Sequence, residues 1–83
     1  MTREETRDIV HDVVACYPNF KPLNLSETVN AWHMMLGEYS KEEIIIALKA
    51  YVTTDKSGFA PSVGQIVDKL HTLGAKPLLS VVT

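Results

Sequence analysis

His11 stands between Asp8 and Asp12, and this imidazole with two carboxylates is the nearest the chain comes to a metal-binding or acid–base constellation. The histidines His11, His33 and His71 lie far apart, and none falls with another ligand-type residue in a recognised metal spacing. His11 therefore reads as part of a solvated helix face. Glu4-Glu5 and Glu42-Glu43 are paired carboxylates of the type used in general acid–base chemistry. Adjacent residues on a helix point about 100° apart, however, and both pairs sit where helix capping explains them. Lys56-Ser57-Gly58 lacks the upstream glycines of a phosphate-binding loop and reads as a turn. Serine, histidine and aspartate all occur, yet nothing arranges a nucleophile, a base and an orienting group in the order of reach that acyl transfer needs. These residues point away from an enzyme, and they imply neither a cofactor nor a metal.

Nucleic-acid recognition is the next chemistry to weigh. It normally needs a clustered basic face that releases counterions. Here the net charge is −2, and the eight Lys and Arg residues are dispersed from Arg3 to Lys76. The segments around Tyr51 and Gln65 do not form a helix-turn-helix, because the link from Thr54 to Pro61 is too long and the following helix carries Gln65, Asp68 and Lys69 instead of a basic reading face. The aromatic set Tyr17, Phe20, Trp32, Tyr39, Tyr51 and Phe59 reads as core and boundary packing, not as a base-stacking platform. Direct nucleic-acid binding is disfavoured. The single cysteine, Cys16, cannot form an internal disulfide and fits a reducing compartment. Its place on the apolar stripe of the first helix predicts a buried structural thiol. The longest apolar run is Ile44 to Leu48, and no signal peptide is evident, so no membrane association and a cytoplasmic location are expected.

The elements that must position these groups are all helical. With 46% apolar and 22% charged residues, the 83-residue chain has the composition of one ordinary globular domain. A chain this short buries only roughly 60–65% of the surface it would expose unfolded, so its stability margin is small. Thr2-Arg3-Glu4-Glu5 is a capping box, and Ile9, Val10, Val13, Val14, Cys16 and Tyr17 follow a helical period until Pro18 ends it. Tyr17 to Pro22 forms a rigid connector, from which Phe20 turns inward as a plug. Ser26 is the expected N-cap of a second helix, Glu27 to Gly37, with Val29, Trp32, Met35 and Leu36 inward and Gly37 closing it in the left-handed conformation. So short a link to the next helix makes the second and third helices close neighbours. Ser40-Lys41-Glu42-Glu43 is a second capping box that opens a third helix to about Thr53. That helix is apolar on nearly every side and should be buried by the other three. Phe59-Ala60-Pro61 then returns the chain to the core, and Ser62-Val63-Gly64-Gln65 caps a fourth helix whose apolar face is Val63, Ile66, Val67, Leu70 and Leu73. Gly74 stops it. The expectation is an all-α, compact four-helix domain over residues 1–74, packed around the third helix, with residues 75–83 as a short C-terminal tail.

Ala15-Cys16-Tyr17-Pro18-Asn19-Phe20, then Thr28 to Trp32, Leu36 with Tyr39, Ala47-Leu48 with Tyr51, and Phe59-Ala60-Pro61-Ser62-Val63-Gly64-Gln65-Ile66 occur in an order and spacing that resembles the phage-type replicative helicase loader and inhibitor family. The resemblance spans Thr2 to Leu73. It implies a small helical protein that binds a hexameric DnaB-type helicase, holds it inactive and delivers it to an origin-bound initiator protein in the bacterial host cell. The family's helicase contact is associated with a flexible C-terminal tail, so residues 75–83 are read as the start of a partner-binding segment. The expected contacts are the apolar Leu78, Leu79, Val81 and Val82, ordering on the partner, with the acidic face Glu4, Asp8 and Asp12 second. The matched residues themselves are turn formers and core residues, which identify a scaffold. The alternative is a small helical DNA-binding replisome or packaging protein on the same scaffold. For the core, Trp32→Ala and Leu48→Ala should each cost about 2–5 kcal/mol in urea melts. Values below about 1 kcal/mol for both would overturn this packing scheme.

Overall fold

Three serine or threonine hydroxyls decide where three of the four helices begin. In the computed structural model, which describes residues 1–74, these helices are α1 (Arg3–Cys16), α2 (Leu25–Leu36), α3 (Lys41–Thr54) and α4 (Val63–Thr72). Thr2, Ser40 and Ser62 each accept a hydrogen bond from the N–H three residues on, while Glu5, Glu43 and Gln65 reach back to the cap N–H. All three capping boxes are as the sequence predicts. Gly74, with φ of +80°, ends α4 in the left-handed conformation that favours glycine.

The second helix starts earlier than expected. Asn24, not Ser26, is its cap, with Asn24 Oδ1 accepting the Glu27 N–H at 3.0 Å. Ser26 is engaged elsewhere: its Oγ lies 3.2 Å from the Arg3 guanidinium, whose Nε also donates to Asn30 at 2.7 Å and so ties α1 to α2. Gly37 is right-handed, with φ of −61°. Its requirement for glycine is steric, because a Cβ there would stand 2.7 Å from the His33 carbonyl oxygen and 3.0 Å from the His33 ring.

The four helices form two hairpins, α1–α2 and α3–α4, docked so that α1 packs on α3 and α2 on α4. Consecutive helices α2 and α3 therefore lie across a diagonal instead of side by side, contrary to the expectation from their short link. Polar bonds hold that link to the start of α1, since the N-terminal ammonium donates to the carbonyls of Gly37 (2.6 Å) and Tyr39 (2.7 Å). Tyr39 itself is buried.

The core draws on all four helices: Ile9, Val10 and Val13, then Val29, Trp32 and Leu36, then Ile44, Ala47 and Leu48, then Ile66 and Leu70. Phe20 plugs its lower end as expected, half-buried, with its ring centroid 6.1 Å from that of Trp32. Thr6, the one buried polar residue in this set, has its Oγ1 3.2 Å from the Thr2 carbonyl and 2.9 Å from His33 Nδ1, so its hydroxyl is satisfied whichever way the imidazole is protonated.

Five expectations about burial change. The third helix buries one face only, leaving Ile45 at 40% and Ile46 at 57% exposure, because it has neighbours on two sides and not three. Met35 is exposed, since Val29, Trp32 and Leu36 already fill the inward stripe of α2. Leu73 lies past the end of α4 and is exposed. Phe59 points into water, although Ala60 beside it is half-buried and Pro61 buried. Cys16 is exposed as well. Gly37→Ala should destabilise the fold by about 1–3 kcal/mol in urea melts, through overpacking against His33. A loss under about 0.5 kcal/mol would mean that the link is not held as tightly as this contact implies.

Candidate functional site

A groove runs between α1 and α3, and its character changes along its length. Glu4, Asp8 and Asp12 recur every fourth residue of α1, so they form one exposed stripe along the upper groove. Arg7, His11, Lys41 and Ile45 complete that part. Lys41 Nζ reaches Asp8 Oδ2 at 3.4 Å, an exposed pair of the kind that contributes about 0–1 kcal/mol. The predicted acidic face is therefore a real surface feature, with one of its carboxylates partly neutralised.

Asp12 and Ile45 also line the lower half, together with Ala15, Cys16, Leu48, Lys49 and Val52, around a groove of about 320 Å³. Cys16 falls here because it continues the stripe of Glu4, Asp8 and Asp12 by one more helical turn, whereas the buried stripe of α1 is Ile9, Val10, Val13 and then Tyr17. One position along a helix swings a side chain by about 100°, which is the difference between Cys16 in water and Tyr17 in the core. The groove presents apolar surface at one end and mixed charge at the other. It offers recognition and no arrangement for bond-breaking chemistry. Among the described residues, no group of three His, Cys, Asp or Glu side chains is placed to hold a metal ion. His33 is bonded to Thr6, His11 lines the groove, and His71 lies exposed in the last turn of α4. The predicted tail contacts Leu78, Leu79, Val81 and Val82 lie outside the described residues.

The second surface feature is the loop from Asp55 to Pro61. Asp55 Oδ1 accepts from the Ser57 N–H at 2.9 Å and the Ser57 hydroxyl at 2.6 Å, and Oδ2 accepts from the Gly58 N–H at 3.2 Å and the Tyr17 hydroxyl at 2.9 Å. One carboxylate thus folds the loop and fastens it to the end of α1. Gly58 has φ of +77°, a conformation that a side chain would strain even though nothing surrounds the position. The bonds from the Ser57 side chain and backbone hold the Asp55 carboxyl below its ordinary value. Burial, followed by the bond to Asp55, pushes the Tyr17 phenol up to about 12. As bare sequence this segment reads only as a polar turn. An aspartate two residues before a serine and three before a glycine is the available sign that a side chain caps it.

These features define a small all-helical domain with capped helices, a mixed apolar and charged groove, and a tethered loop. A family model described as the N-terminal domain of the phage gene-39 protein matches residues 1–67. The chain belongs to that family, whose full-length protein is a phage helicase loader and inhibitor. No curated protein and no solved structure gave a significant match. Among the described residues, no helix is long and apolar enough to cross a membrane.

The Tyr17–Asp55 bond sets a pH response at each extreme. Asp55 has a lowered folded pKa, so its contribution is present above the ordinary carboxylate value of about 4 and is lost as pH falls through the lower folded value. Tyr17 has a raised one, so its contribution is present below about 10 and lost as pH rises through about 12. Thermal melts of Asp55→Asn should therefore show a shallower acid decline than the parent chain. Ultraviolet titration should show one phenol ionising well above the ordinary range, and Tyr17→Phe should remove it. An unchanged titration curve in Tyr17→Phe would contradict the assignment.

Proposed function

We propose that this domain is a non-enzymatic adaptor that binds a hexameric DnaB-type replicative helicase, holds it inactive and helps deliver it to an origin-bound initiator during phage or prophage replication. The match of the helicase loader and inhibitor family over residues 1–67 carries this reading. The site of action is then the host cytoplasm, where that helicase works.

Inhibition by a small binding protein requires that it bind one helicase state more tightly than another, because a ligand with equal affinity for both shifts nothing. The groove between α1 and α3, acidic around Glu4, Asp8 and Asp12 and apolar around Ile45 and Val52, supports recognition of a protein surface. In this reading Leu78, Leu79, Val81 and Val82 supply further apolar contacts to the helicase.

The test is retention of a DnaB-type helicase on the immobilised chain, together with helicase ATPase measured as the chain is titrated. Saturable retention with falling ATPase at stoichiometric chain is expected. The absence of both, for this chain and for one extended beyond Thr83, would exclude the function.

A further inference from the structure

The loop between α3 and α4 holds one aromatic ring out in water on a fixed backbone. Phe59 is 72% exposed, whereas Tyr17, Trp32 and Tyr39 are buried and Phe20 and Tyr51 are half-buried against the core. Its backbone is nevertheless restrained on both sides. The Phe59 N–H donates to Ser57 Oγ at 3.1 Å, and its carbonyl accepts the Tyr51 hydroxyl at 2.9 Å. The Asp55 carboxylate fixes the turn before it, and buried Pro61 fixes the chain after it. None of these bonds uses the Phe59 side chain. The ring therefore contributes little to folding, while its placement is determined by atoms that do.

A ring held this way has already lost most of the freedom that binding would remove, and aromatic residues covered at an interface dominate binding energy. Two partner classes compete for it. Stacking on single-stranded nucleic acid needs a basic groove alongside the ring. The loop from Asp55 to Pro61 carries one cation, Lys56, in a chain of net charge −2. A protein surface with an apolar socket fits better. Lys56 is exposed and makes no ion pair among the described residues, which complements an acidic rim to that socket.

We propose that Phe59 is an anchor of the partner interface, entering an apolar socket on the helicase with Lys56 facing its rim. This rests on the reading that a DnaB-type helicase is the partner, and it adds a binding residue on the folded domain itself, remote in sequence from the tail.

The experiment titrates the full chain, as parent, Phe59→Ala and Phe59→Leu, against an immobilised DnaB-type helicase hexamer, with a thermal melt of each variant. Phe59→Ala should melt with the parent yet bind about tenfold or more weakly, and Phe59→Leu should recover most of the affinity. If Phe59→Ala binds as tightly as the parent, the anchor is refuted while the helicase reading stands. If the parent does not bind, both fall together.

Discussion

Two helical hairpins meet across one shared face, and the rest of the molecule depends on that face being complete. Neither hairpin can bury its apolar residues alone: Ile9, Val10 and Val13 need Ile44, Ala47 and Leu48, and Trp32 and Leu36 need Ile66 and Leu70. Polar contacts close the edges of the same interface. Lys41 reaches Asp8, the N-terminal ammonium holds the link at Gly37 and Tyr39, and Tyr17 fastens to Asp55. In a domain this small, hydrophobic burial leaves little surplus, so bonds that fix the docking angle matter out of proportion to their number.

The limits of the helices were legible because capping is local. A hydroxyl and a carboxylate or amide three residues apart specify a start wherever they occur, and Thr2, Ser40 and Ser62 were all readable in that way. The start of α2 was not, because Asn24 and Ser26 are both competent caps and the choice turns on Arg3, which engages Ser26 from another helix. Burial failed for a related reason. In Ile44-Ile45-Ile46 every residue is apolar, so periodicity cannot say which faces inward, and only the positions of α1 and α4 make Ile44 core and its successors surface. Cys16 and Tyr17 pose the same problem at the end of α1.

The surface was legible in part. The spacing of Glu4, Asp8 and Asp12 placed them on one stripe from sequence alone, and the order of short segments from Ala15 to Ile66 carried the family. What sequence could not supply was the direction of Phe59. Apolar character predicts burial on average, but here the backbone of the residue is restrained by Ser57 and Tyr51 while its ring is left outside. An aromatic residue that contradicts its own average is informative only once its surroundings are known.

The hairpin arrangement has a kinetic consequence. Contacts within α1–α2 and within α3–α4 join residues near in sequence, whereas the bonds between the hairpins close separations of 33 to 38 residues. Short loops close sooner than long ones, so each hairpin is a natural early folding unit and docking is the later event. The same seam is where the native molecule opens first short of complete unfolding. Because the link from Gly37 to Ser40 is the sole covalent bridge across it, two copies that open together can each re-dock on the other's hairpin, giving an exchanged dimer with every native contact preserved.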